Sequence, residues 1–279
     1  MSEMSTPGKL FLVPTPIGNL EDMTFRAIRV LKEADLIAAE DTRNSRKLLT
    51  HFEIHTPMTS YHEHNKFEKG EELVRAMLQG KNLAVISDAG CPCISDPGEV
   101  LVKLAVEAGI RVEALPGACA GITALMASGM DTKGFLFLGF LPREKKDLKK
   151  ACEALKTESH TVILYEAPHR LKKTLEALHE ALGDARRIVL CRELTKVHEE
   201  YERVTLKDAL TLYEEKEPRG EYVLVLEGST EEETESSLSI PEQMQELLER
   251  GMTEKDAMKE TARILGISKR EVYGAWKLT

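Results

Sequence analysis

No apolar run in these 279 residues approaches the roughly 20 needed to cross a bilayer, so a membrane-spanning helix is not expected. The opening stretch Met1–Gly8 is small and polar, without a charged segment leading into an apolar one, and no signal peptide is expected. Cysteine is sparse: five residues, an odd number, scattered and without a Cys-x-x-Cys spacing. This pattern argues against a disulfide framework and for free thiols in a reducing cytoplasm. Positive charge is in deficit, with 38 Lys and Arg against 47 Asp and Glu and a net charge of −9. This counts against indiscriminate nucleic-acid binding, which needs a basic surface, and does not exclude a local basic patch. Neither Gly-x-Gly-x-x-Gly nor Gly-x-x-x-x-Gly-Lys occurs, which counts against a nicotinamide oxidoreductase and a phosphate loop.

What is present is ordinary globular composition, 42% hydrophobic and 30% charged, in a chain long enough for two cores. Short apolar runs at Leu10–Val13, Leu36–Ala39, Leu83–Ile86 and Val112–Leu115 alternate with helical patterns at Phe25–Lys32, Arg43–His51, Phe67–Leu78 and Val100–Ala108. That alternation predicts a mostly parallel sheet covered on both faces. A second series follows, with strands at Phe135–Leu141, Thr161–Tyr165, Ile188–Arg192, Tyr201–Thr205 and Tyr222–Glu227, and helices at Lys145–Lys156, Leu171–Leu182 and Leu206–Glu214. The expected division is an N-terminal α/β domain over 1–133, a second α/β domain over 134–228, an acidic linker over 229–239 and a helical tail over 240–279. Glu231, Glu232, Glu233 and Glu235 mark the linker. In the tail, Thr253 and Asp256 resemble a helix cap and Gly266 separates two short helices. It reads either as a helix-turn-helix appendage or as a tail packed on the body or on a second subunit.

Specialised residues gather at predicted strand ends, where open α/β sheets bind ligands. Val13–Asn19 contains Pro14, a second proline and a glycine, and forms a stiff turn. Glu40, Asp41 and Arg43 follow the second strand, where Asp41 serves either a cleft or a helix cap. Tyr61-His62-Glu63-His64-Asn65 suggests a metal site or general-base chemistry, but without metal-ligand spacings it reads first as a polar loop lining a cleft, and no metal is expected. Ser87–Gly98 is the most informative segment, with paired Asp, Ser, Gly and Pro between a strand and a helix. Asp96 is expected to cap that helix, with Pro97 at its first position. Leu115–Ala120, Tyr165–Arg170, Cys191–Lys196 and Gly220–Tyr222 repeat the theme.

Together, Val13–Leu20, Ala38–Arg43, Ser60–Asn65, Ser87–Gly98 and Tyr165–Arg170 resemble, in order, the motifs of bacterial small-subunit ribosomal RNA cytidine 2′-O-methyltransferases. The likeness spans about Lys9 to Gly228, and the tail from Pro241 is similar to the helical domain that ends many members. It implies the tetrapyrrole-methylase fold: two α/β lobes with S-adenosylmethionine in the cleft between them, usually in a homodimer. It implies cofactor contacts at Asp88, Cys91, Cys119, Ala120, Tyr165, Glu193 and Gly220, with Pro14, Gly90 and Ser95 in the same loops. Cys91 and Cys93 stand where Thr and Leu are usual, Ala118-Cys119 where Pro-Ser is usual, and Ala167 where Ser is common. These changes leave backbone contacts intact and remove hydroxyl contacts. For the poorly acidic ribose hydroxyl, Glu40, Asp41, Glu63 and His64 are candidate bases, and near neutral pH His64 is favoured. RNA contacts are expected at Arg43, Arg46, Lys47, His169 and Arg170, with Arg143, Lys145, Lys146, Lys149, Lys150, Lys172 and Lys173 nearby. Two rival readings are a same-fold methyltransferase acting on a corrinoid precursor or a translation-factor side chain, and a non-enzymatic nucleic-acid-binding protein.

Overall fold

The computed structural model describes residues 6–229, 239–265 and 267–277. Five short strands form the first sheet: β1 (Lys9–Leu12), β2 (Leu36–Ala39), β3 (Met58–Ser60), β4 (Leu83–Ile86) and β5 (Arg111–Ala114). Their order is β3-β2-β4-β1-β5 and every pairing is parallel, as the strand–helix alternation predicts. Along β2 and β4 successive side chains enter different cores. Ile37, Ala39, Ala84 and Ile86 pack with α1 (Phe25–Glu33) and α2 (Thr42–His51). Ala38, Leu83 and Val85 pack with α3 (Lys66–Leu78) and α4 (Gly98–Glu107). Burial on both faces explains why these strands read as continuous apolar runs. β3 went unread because it is a three-residue edge strand, only partly buried.

The second sheet has the order β6-β7-β10-β8-β9, from β6 (Phe135–Phe140), β7 (Thr161–Glu166), β8 (Arg187–Arg192), β9 (Glu200–Thr205) and β10 (Tyr222–Leu226). Only β6 and β7 run parallel; the other pairings are antiparallel. Leu224 on central β10 faces Leu164 on one side and Leu190 on the other. These leucines join a core under α6 (Lys145–Ala154), α7 (Pro168–Leu182) and α8 (Leu206–Glu215).

The opposite face is covered by α5 (Ala120–Ser128), a helix absent from the sequence reading. Its segment is almost wholly apolar or small, so it lacks the polar stripe by which an amphipathic helix is recognised. Although α5 follows β5, its Ala124 and Leu125 pack with Ile163, Val189, Val223 and Val225 of the second sheet. Side chains preceding residue 134 thus enter the second core.

The tail forms three helices, α9 (Ile240–Glu249), α10 (Glu254–Ile264) and α11 (Lys269–Lys277), around Met244, Leu247, Ala257, Met258 and Val272. Thr253 caps α10 by accepting the Asp256 amide, and Trp276 Nε1 donates to Glu254 at 3.0 Å. The acidic linker, apart from Ser229 and Ser239 at its ends, and the Gly266 break lie outside the described residues.

Candidate active site

The connection after β2 runs outward to β3, whereas that after β4 crosses to β5. These neighbouring strands therefore diverge at their carboxyl ends, and such a divergence opens a crevice. Glu40 and Ser87 are the next residues beyond the paired Ala39 and Ile86. The crevice extends to the second sheet as a cleft of about 550 Å³, within the range of about 300–1,000 Å³ typical of small-molecule sites.

Loops from both lobes are fitted together around it. Thr15 and Gly90 exchange backbone hydrogen bonds, each 3.0 Å. Gly117 lies against Pro14, where a Cβ would sit 2.5 Å from the proline ring. The Asn19 amide donates to Thr195 Oγ1 at 3.0 Å, tying the first loop of one lobe to the β8–β9 loop of the other. Cys93, Ser95, Glu193 and Thr195 hold positive φ without being glycine. Strain of this kind, about 1–3 kcal/mol per residue, persists where surrounding structure enforces it and clusters at functional sites.

Of the residues singled out from sequence, Glu40, Asp88, Gly90, Cys91, Ser95, Cys119, Ala120, Tyr165 and His169 line the cleft. Pro14, Glu193 and Gly220 stand behind the wall. The Glu193 carboxylate accepts Lys196 Nζ at 2.8 Å and the amide of cleft-lining Glu221 at 3.0 Å. Tyr165 accepts the Gly121 amide at 3.2 Å and packs edge-on to Phe137 and Phe140, and its burial raises the phenol pKa. Asp96 departs from its expected capping position. Helix α4 begins one residue late, with Pro97 at the cap, and the Asp96 carboxylate accepts the Gly98 and Cys93 amides. Burial nevertheless raises its pKa.

The four base candidates separate in space. Asp41 caps α2, accepts the Arg43 amide and pairs with the Arg43 guanidinium, which holds its carboxyl below the usual range. Glu63 is exposed and pairs with Lys66. His64 is exposed, with its ring edge-on to His62. Only Glu40 lines the cleft, and its pKa is raised, chiefly by burial and then by Asp88 and Asp96. His62, not singled out as a base, is the histidine whose charge acts on Glu40, and its Nδ1 is buried without a hydrogen-bond partner. The discriminating signal was Asn65, whose side chain accepts the His62 amide at 2.8 Å and fixes the turn.

The basic candidates also divide. Arg43, Arg46 and Lys47 are exposed on α2, and His169 is exposed at the cleft. Arg170 points inward instead: its guanidinium donates to the Leu141 and Pro142 carbonyls and pairs with buried Glu166. Glu166, which the sequence reading placed in the Tyr165–Arg170 segment without a role of its own, also accepts Thr174 Oγ1 at 2.5 Å and lines the cleft. Lys149 and Lys172 pair with Glu180 and Glu217.

Two α/β lobes holding a glycine- and proline-built cleft at a switch point define a small-ligand-binding protein of the two-lobed methylase type. Residues 9–210 match the tetrapyrrole (corrin/porphyrin) methylases, and the chain belongs to that family. It is 50% identical to a Bacillus subtilis protein named ribosomal RNA small subunit methyltransferase I, over 98% of this chain and 96% of that one. Among solved structures, it resembles diphthine synthase with a TM-score of 0.62 and 13% identity, covering 81% of this chain and 92% of that one. It also resembles uroporphyrin-III C-methyltransferase from Thermus thermophilus, complexed with S-adenosylhomocysteine, with a TM-score of 0.55 and 19% identity over 79% and 97% of the two chains. At such identities these two likenesses establish the fold alone.

Proposed function

We propose that this enzyme transfers a methyl group from S-adenosylmethionine to the 2′-hydroxyl of a cytidine in small-subunit ribosomal RNA. The near-full-length identity to the Bacillus subtilis protein carries the reading. It also favours RNA over a corrinoid acceptor, because the solved uroporphyrin-III enzyme is only 19% identical.

The cleft suits the cofactor. Its volume is adequate, Ile17, Leu194 and Val223 supply apolar wall, and Asp88 and Glu221 supply acceptors for hydroxyl and amino groups. Gly90 has φ +82°, and a Cβ there would lie 3.2 Å from Ile17, so glycine lets this loop pack closely against the apolar wall. Asp88, Gly90, Cys91, Ser95, Cys119, Ala120 and Tyr165 would hold S-adenosylmethionine, with Pro14, Glu193 and Gly220 shaping the wall behind them. When bound, the cofactor supplies an electrophilic methyl carbon on a sulfonium. Glu40 then takes the proton of the acceptor hydroxyl on a carboxylate oxygen, and His62 stabilises the ionised carboxylate. The interlocked loops fix the reactants' approach.

RNA is gripped through phosphates by Arg43, Arg46, Lys47 and His169, while Arg170 positions the entry to the second lobe. The enzyme acts in the cytoplasm as a homodimer. Exposed Met126 on α5 and Phe135, Leu138 and Phe140 on edge strand β6 favour such a dimer.

Calorimetry with S-adenosylmethionine tests the reading first, with saturation expected near one site per chain. Methyl transfer to small ribosomal subunits, mapped to a cytidine ribose, completes the test; binding without transfer to RNA would transfer the case to another acceptor. RNA binding should also weaken linearly with log salt, and replacing Arg46 and Lys47 by Ala should lower that slope by about 2. An unchanged slope removes α2 from the RNA surface.

A further inference from the structure

Cys91, in the β4–α4 loop, and Cys119, the residue before α5, approach each other from two different loops. Both are half-buried and both line the cleft. The loops touch: Cys91 Sγ donates at 3.3 Å to the carbonyl of Ala118, the residue before Cys119, and the two thiols lie close enough for each to shift the other's pKa.

We propose that Cys91 and Cys119 are a modification site, at which a hydroperoxide links them in a reversible disulfide that narrows the cleft and weakens cofactor binding. The loss of binding rests on the cofactor reading above; formation of the bond does not.

Reactivity is unequal across the cysteines. The Cys119 thiol is pulled down to about 6 by its hydrogen bond with Cys91 and by the Gly121 and Ile122 amides at the start of α5. It is therefore the more readily ionised of the two, and the thiolate is the form that reacts with peroxides. Cys91 is pushed upward by its interaction with Cys119 and by burial, and stays protonated. Burial pushes Cys93 up to about 12, Cys152 to about 11 and Cys191 to about 12, which leaves them inert.

The Cys119 thiolate attacks one oxygen of the hydroperoxide and the O–O bond breaks. The sulfur is oxidised to the sulfenic acid, and the alkoxide or hydroxide leaves with the Cys91 proton as alcohol or water. The Cys91 thiolate then attacks Cys119 Sγ, the S–O bond breaks, and hydroxide leaves as water by taking back from solvent the proton that Cys119 released on ionising. Two thiols and one hydroperoxide yield one disulfide, one alcohol (water from hydrogen peroxide itself) and one water. The sulfurs end about 2.05 Å apart, closer than any hydrogen-bonded thiol pair. The two loops must draw together, and a displacement of about 1 Å in such a site costs roughly 100-fold in productive geometry.

The test treats the reduced full-length protein with stoichiometric hydrogen peroxide. Expected are a mass loss of about 2 Da, a cross-linked peptide joining residues 91 and 119, and cofactor affinity reduced at least about tenfold, all reversed by dithiothreitol. Cys91→Ser and Cys119→Ser should each keep their own starting affinity after peroxide, and Cys93→Ser should respond as the parent does. Oxidation that stops at a sulfinic acid on Cys119, or a linked peptide with unchanged affinity, overturns the proposal. If the reduced protein binds no S-adenosylmethionine, the cofactor reading and the narrowed-cleft consequence both fail, and the mass and peptide map still decide the bond.

Discussion

Glu40→Gln should lower turnover by about 10²–10⁴-fold, the usual contribution of a positioned base, and leave S-adenosylmethionine affinity near that of the parent. Glutamine preserves the shape of the side chain and cannot take a proton. Glu40 occupies the divergence of β2 and β4 and lines the cleft. Burial, Asp88, Asp96 and Asp41 raise its pKa, while His62 opposes them. A raised carboxyl pKa means that the ionised base is populated only above that value. Activity should therefore climb as pH rises through the Glu40 pKa and level off above it, and Glu40→Gln should lose that limb. His62→Gln should shift the same limb to higher pH, because it removes the one neighbour that favours ionisation. Glu63→Gln, which breaks only an exposed pair with Lys66, should behave as the parent. The measurement is a single-turnover pH profile on small ribosomal subunits. Parental turnover in Glu40→Gln would assign the proton to another group.

Much of the first lobe was legible because two-sided burial leaves a plain mark, as in the unbroken apolar run of β4. The edge strand β3 and the helix α5 lack such marks, one being short and the other having no polar face. The parallel and antiparallel pairings of the second sheet were beyond sequence alone, since period-two burial is the same whichever way a strand runs. Loop chemistry marked the cleft well: the proline and glycine segments after β1, β4 and β5 do meet, because parallel strands bring their carboxyl ends to one edge. The direction of individual side chains was less legible. His62 rather than His64 turns toward Glu40 because a single asparagine fixes the intervening turn. Arg170 looks like a surface cation until the buried Glu166 beneath it is seen. Both partners lie in the same short segments, three and four residues away, but the direction in which each side chain turns is set only by the folded backbone.

The remaining large effect belongs to a glycine. Gly220 has φ +80°, and a Cβ there would sit 2.5 Å from the Glu193 carboxyl carbon. Glu193 cannot swing aside freely, because its carboxylate is held by Lys196 and by the Glu221 amide. Its loop is also tied across the lobes through Thr195 and Asn19. Gly220→Val should therefore displace the loop that carries Leu194 and weaken cofactor binding by about 10–100-fold, in keeping with the sensitivity of such sites to small displacements. The backbone strain, about 1–3 kcal/mol for a side chain at positive φ, is a separate cost. Gly183→Val provides the comparison: its φ is +83°, a Cβ there meets nothing within 4 Å, and it ends α7 away from the cleft. Both variants should melt lower than the parent, and only Gly220→Val should also lose cofactor affinity by calorimetry. Equal affinities in the two would separate the Glu193 loop from the cofactor wall, because strain alone would then account for everything that Gly220 does.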